Sequence, residues 1–181
     1  MHIPDLSLCT YGRGAKSPES WDVPLLAIGW VEDGWDYSLG NASELLIERV
    51  RRFRDETGVQ YSWYTYRGIY GCTLCDSGPQ KSNIEGSQIN LIVPGEGCVY
   101  MAPGAIVHYM ETHLYLPPKE FIDAILSCPF PTTQGYEHAL ISANGGERPE
   151  YIAVDEGHER VRAMMKKWKS EQGAAPNPGH S

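Results

Sequence analysis

Two cysteines and two histidines are the residues of this chain best suited to chemistry. Cys72 and Cys75 flank a two-residue gap in Gly71-Cys72-Thr73-Leu74-Cys75, and His108 and His113 flank a four-residue gap in His108-Tyr109-Met110-Glu111-Thr112-His113. Thiolate sulfur and imidazole nitrogen are the donors Zn²⁺ favours, and four of them close a tetrahedral shell. Two thiolates balance the dication, so such a shell can be partly buried without an unpaired charge. Its ligands would come from distant parts of the chain, so binding would cross-link them and contribute to folding. The plainer reading is two chance pairs, one of buried thiols and one of surface or helix-capping imidazoles. His138, Cys98 or Cys128 is the reserve that would replace one of the four.

The spacings narrow the type of site. Thirty-two residues separate Cys75 from His108, more than a DNA-reading Cys₂His₂ finger allows. Residues five apart on an ideal helix point about 140° away from each other. His108 and His113 face one metal only if the helix loosens or ends between them. Pro117 and Pro118 follow closely, which favours an ending near His113.

Four protein ligands leave no open position for water, so the pattern favours a structural metal over a catalytic one. Glu111 lies between the histidines and is the one candidate general base. Its His-x-x-Glu-x-His setting differs from the zincin pattern, which needs histidines at i and i+4. A zinc deaminase is disfavoured too, because no His-x-Glu accompanies a Pro-Cys-x-x-Cys. Glu111 reads more simply as a helix-surface acid. The chain has no P-loop, no Gly-x-Ser-x-Gly elbow and no Gly-x-Gly-x-x-Gly, and no catalytic residue is assigned.

The elements that must position these residues form an α+β pattern. Leu25 to Trp30 reads as a short buried strand ahead of the Asp33-Gly34 turn signal. A helix is expected over 42–56, capped by Asn41 with Glu44, with Leu46, Val50 and Phe53 on its apolar stripe and Gly58 as its stop. The aromatic run 59–66 alternates like a strand. Segments 88–93 and 98–101 flank Pro94-Gly95-Glu96-Gly97 and predict a β-hairpin. Pro103 or Gly104 then opens the helix that carries both histidines. Pro118 starts another helix, with Phe121, Ile122, Ile125 and Leu126 on one face. A last helix follows Asp155, with Val161, Met164, Met165 and Trp168 as its stripe. Residues 1–20 read as loop and 173–181 as a disordered tail. The expectation is one domain over 1–172, with a knuckle–hairpin–helix metal module over about 70–115.

The net charge of −8 argues against tight binding to bare nucleic acid, which needs a cationic face. Arg49, Arg51, Arg52 and Arg54 are interleaved with acids and read as a solvated helix face. The first residues show no basic segment followed by an apolar one, and no run reaches the roughly 20 apolar residues of a membrane span. A cytosolic setting is expected, where thiols stay reduced and a close cysteine pair points to metal. Cys9, Cys98 and Cys128 read as small buried residues or free thiols.

Over residues 2–126 the chain resembles a group of small, largely uncharacterised bacterial proteins. The residues that carry the likeness are Pro4-Asp5-Leu6-Ser7, Tyr11-Gly12, Gly29-Trp30, Arg67-Gly68, Cys72 and Cys75. It continues through Pro103, His108-Tyr109, His113, Tyr115, Pro117-Pro118 and Phe121. The likeness implies a zinc-type site at Cys72, Cys75, His108 and His113 and implies no activity. The element order over 70–115 is similar to that of treble-clef modules. Taken together, the chain is expected to be a protein-binding accessory or regulatory factor, of the immunity or antitoxin type, with a structural zinc. A metal-dependent hydrolase using Glu111 is the competing class, and a nucleic-acid role is the third.

Overall fold

The strongest local signal, two apolar runs around a Pro/Gly turn, forms the centre of the molecule. The computed structural model describes residues 1–11, 21–60 and 70–147. Expectations for the remainder of the aromatic run (61–66), the helix after Asp155 with Trp168, and the tail 173–181 lie outside the described residues. Strand β2 (Asn90–Pro94) pairs antiparallel with β3 (Val99–Pro103), with Ile92 opposite Met101 and Val93 opposite Tyr100. The Gly95 amide donates to the Cys98 carbonyl at 2.9 Å and closes the turn. Every residue of β3 is buried. Its apolar side chains follow one another without alternation, as in a strand covered on both faces.

Strand β1 (Leu25–Ala27) lies parallel to β3 on its other edge, giving the order β1-β3-β2. It is shorter than the expected 25–30 because Gly29 adopts φ +70° and turns the chain out of the strand. Residues 1–11 form no helix or strand, in keeping with the expected loop, but they are tied down by backbone hydrogen bonds, and 12–20 lie outside the described residues. Leu6 and Cys9 donate to the carbonyls of Ala27 and Leu25, and Ala27 donates to Ser7, each at 2.8 Å. This irregular pairing covers the outer edge of β1, which would otherwise present unpaired backbone groups.

Helix α1 (Glu44–Gln60) buries Leu46, Val50 and Phe53, the expected stripe. Its ends differ from expectation. Ser43, not Asn41, accepts the Leu46 amide on its hydroxyl at 3.2 Å, as an N-cap does. The helix also runs through Gly58 into Val59 and Gln60, so the strand expected from 59 does not start there. Gly58 is explained by packing: a Cβ at this position would stand 2.5 Å from Ile89 Cδ1.

A short helix α2 (Pro79–Ser82) precedes the hairpin, and α3 (Ile106–Thr112) follows it. Pro103 is still strand, so α3 opens later than expected, after Ala105. Helix α4 (Lys119–Ser127) buries Phe121 and Ile125, while Leu126 is exposed. Helix α5 (Gln134–Ala143) was not expected from the sequence, although Tyr136, Leu140 and Ala143 repeat at i, i+4 and i+7. Gly135 and the neighbouring threonines obscure that period. Tyr136 donates to the Ile92 carbonyl at 2.6 Å and meets Phe53 edge-on at 5.6 Å. Helices α1, α4 and α5 thus pack on β2, and the described residues form one α+β domain.

The arginine run is not the solvated face its composition suggests. Arg54 is buried, with its guanidinium on Asp55 and donating to the Glu85 carbonyl at 3.1 Å. Arg49 donates to the carbonyls of Ile125 and Cys128, capping the open C-terminus of α4. Arg51 and Arg52 stay at the surface and pair with Glu48, Glu111 and Glu56.

This packing separates a buried face of α1, with Leu46, Val50 and Phe53, from an exposed one that carries Leu45. Phe53→Ala should lower unfolding free energy in urea by about 3–5 kcal/mol. Leu45→Ala, at a side chain 75% exposed, should stay within about 0.5 kcal/mol of the parent.

Candidate metal centre

The first ligand pair sits in a tight knuckle held against α2. Tyr70 accepts the Ile84 amide at 3.0 Å. A Cβ on Gly71 would fall 1.8 Å from the Lys81 carbonyl oxygen, so only glycine lets the knuckle lie this close to the α2 backbone. The amides of Leu74 and Cys75 point at Cys72 Sγ, the arrangement a metal-bound thiolate needs. The Asp33 amide donates to Thr73 Oγ1 at 3.0 Å and ties the knuckle to the loop after β1.

The second pair sits on α3 and at its end. His108 is helical and buried. His113 is the C-cap, with φ −117° and ψ 14°, and Leu114 follows in the left-handed region at φ 55°. The helix therefore ends at the second histidine, as the five-residue step requires. Tyr109 accepts the amides of both His113 and Tyr115. Tyr37 donates its hydroxyl to the His113 carbonyl at 3.3 Å. Gly40 and Leu116 exchange backbone hydrogen bonds with Leu114 and Ser38. Tyr115, fully buried, donates to Asp5 Oδ2 at 2.8 Å, and the Gly29 amide donates to Asp5 Oδ1 at 2.7 Å. The exit from α3 is thus fastened to both the 37–40 segment and the chain's first residues.

These elements bring all four side chains to one point. The two Sγ and two Nε2 atoms lie within 4.8 Å of one another. His113 Nε2 is 3.3 Å from each sulfur, His108 Nε2 is 3.4 Å from Cys75 Sγ, and the two nitrogens are 3.2 Å apart. Metal bonds of about 2.0–2.3 Å at tetrahedral angles require edges of roughly 3.3–3.8 Å. These four of the six edges fall within a few tenths of an ångström of that figure, and the remaining two are no longer than 4.8 Å. Cys72 and His108 are buried, and Cys75 and His113 are half-buried.

The surroundings favour the metal-binding form of both imidazoles and oppose that of the Cys72 thiol. Burial holds both imidazoles below their ordinary pKa, and His113 adds to this at His108. Burial pushes the Cys72 thiol up, against the pull of the Leu74 and Cys75 amides. A dication would supply the missing counter-charge for two thiolates. On His108, Nδ1 lies 3.3 Å from Thr112 Oγ1, leaving Nε2 for the metal. The sequence carried a signal for this partner, since Thr112 stands one helical turn after His108. Nothing in the sequence pointed to Tyr37 or Asp5 as supports.

The other candidates stand apart from this cluster. Cys98 and Cys128 are buried elsewhere, and His138 is exposed on α5. Glu111 lies at the surface in an ion pair with Arg51. A model of a family described as a domain of unknown function, DUF7919, matches residues 1–126. The chain belongs to this family. No curated protein and no solved structure matches it. The DUF7919 span contains both ligand pairs, the Asp5–Tyr115 contact and nearly all of α4, whereas α5 lies beyond it. No described helix is long and apolar enough to cross a membrane.

Two outcomes follow for the ligands. Thr112→Val should weaken metal affinity about 10-fold or more in a chelator competition. The metal-free chain should be most stable between the two titration ranges. Imidazoles with depressed pKa contribute stability above about 6.5 that fades as pH falls, because the unfolded chain then binds more protons. The raised Cys72 thiol contributes stability below about 9 that fades as pH rises. Urea titrations of the metal-free chain across this range test both edges; with excess zinc, stability should instead rise steeply with pH through neutrality, because metal binding releases the thiol protons.

Proposed function

We propose that this protein holds a structural zinc ion on Cys72, Cys75, His108 and His113, and that the metal cross-links a knuckle to a helix in a protein-binding accessory domain. The observation that carries the reading is the closure of four protein donors into a tetrahedron-sized cluster. A filled shell leaves no coordination position for substrate or water. Zinc fits the donor set because two sulfurs and two nitrogens in tetrahedral array suit its softness and its lack of geometric preference.

A binding role accords with what surrounds the site. Trp35, Leu39 and Leu114 are exposed, and Leu39 and Leu114 lie on the paired segments that fasten His113. The acidic balance of the chain favours a basic protein partner over nucleic acid. Arg49 and Arg54 face the protein interior, and Arg51 and Arg52 are paired with acids, which removes the best candidate for a cationic face among the described residues. A bacterial cytosolic factor of the immunity or antitoxin type fits these features.

Metal analysis of the purified chain tests the reading. About one zinc per chain is expected. Cys72→Ser and His113→Ala should each lose the metal and, with it, the hydrogen-exchange protection of 70–84, while the sheet core still unfolds cooperatively. Glu111→Gln should keep the metal and the stability within about 0.5 kcal/mol, because it disturbs only a surface ion pair. A parent chain that holds no metal as purified, and whose segment 70–84 is nonetheless as protected from hydrogen exchange as the sheet, would refute the structural zinc.

A further inference from the structure

The two sulfurs of the cluster differ in access. Cys72 is 1% exposed, whereas Cys75 is only half-buried. Both lie in one knuckle, with only Thr73 and Leu74 between them, and their sulfurs are already within 4.8 Å. The other described cysteines, Cys9, Cys98 and Cys128, are all buried. Thiol chemistry from solvent is therefore directed to one atom, Cys75 Sγ, with a second sulfur behind it. Cys-x-x-Cys spacing closes readily into a disulfide.

We propose that Cys72 and Cys75 form a peroxide-responsive disulfide whose formation expels the metal, an inference that rests on the zinc centre proposed above. The metal keeps both sulfurs as thiolates, the form that attacks a peroxide. Cys75 Sγ displaces hydroxide from hydrogen peroxide and becomes a sulfenic acid. A sulfenic acid is a poor ligand and carries no counter-charge, so the metal's hold loosens. Cys72 Sγ then attacks Cys75 Sγ, the S–O bond breaks, and hydroxide leaves. Overall the zinc-bound dithiolate, one H₂O₂ and two protons give a disulfide, free Zn²⁺ and two waters. Two sulfurs are each oxidised by one electron, and the peroxide oxygens are reduced.

The structural consequence is local. The sheet core and helices α1, α4 and α5 do not pass through the metal, whereas the knuckle and α2 meet α3 through it. Beyond the cluster, one direct tie between the knuckle and α3 is the contact of Tyr70 and Tyr109 hydroxyls at 3.3 Å. Oxidation would free the segment 70–84 from α3 while the hairpin stays folded.

The test uses the full zinc-loaded chain. Metal content is measured first, then hydrogen peroxide is added with a chromophoric zinc chelator present. Cleavage after Arg67 and Lys81 yields one peptide, 68–81, holding both cysteines. The expected result is release of the whole zinc content, with that peptide lighter by roughly two hydrogens, the signature of a disulfide. A dithiol with added zinc should reverse both changes, and hydrogen exchange should rise over 70–84 alone. A chain that keeps its zinc through the treatment overturns the switch and leaves the metal centre standing. Release with the peptide still reduced, or with Cys75 carried on to sulfinic acid, overturns it as well. A chain that holds no zinc before peroxide overturns both proposals.

Discussion

The end of α3 is the constraint around which the rest of the site is arranged. Two side chains five residues apart cannot meet on one face of a continuous helix. The chain must leave helical geometry at His113, and it does so there, with Leu114 turned into the left-handed region. A non-glycine residue at positive φ is costly and persists only where its surroundings hold it. The surroundings here are specific: Tyr109 accepts two amides, Tyr37 holds the His113 carbonyl, and Tyr115 is anchored on Asp5. Leu114 keeps its side chain in solvent, so the turn requires no extra room in the core.

This arrangement divides the domain into two kinds of stability. The sheet and its three packed helices are held by apolar burial, with Phe53, Phe121, Tyr136 and Met101 fully enclosed. The knuckle and α2 contribute few large apolar side chains to that core. They are held by close backbone approach at Gly71, by hydrogen bonds from Ile84 and Asp33, and by the four-donor cluster. A metal on the four donors would add most at the knuckle, where hydrophobic burial adds least, by tying it to the well-buried α3.

Legibility in the sequence tracked how local each determinant is. The β2–β3 hairpin was readable because its turn residues and apolar runs are contiguous. The apolar stripe of α1 was readable from its 3.6-residue period. The boundaries of α1 were not, since Ser43 and Asn41 are both competent caps and Gly58 is a stop signal that packing against Ile89 overrides. The arginine run misled for a similar reason. Its charges looked solvated, but Arg49 and Arg54 satisfy carbonyls at Cys128, Ile125 and Glu85 that lie far away in sequence. Helix α5 is not legible in the sequence because two or three buried positions in ten residues give a weak period.

By itself, the sequence determined the donor types, their spacings and the requirement that a helix end at His113. Those follow from ligand chemistry and helix geometry, which are local. Only the tertiary structure decided that the four donors meet, that Cys98, Cys128, His138 and Glu111 stand aside, and that Thr112, Tyr37 and Asp5 support the site. It also decided that Cys75 is the less buried of the two cysteines. Such facts depend on how segments up to 110 residues apart pack together, and no local pattern encodes which distant surface a side chain will meet.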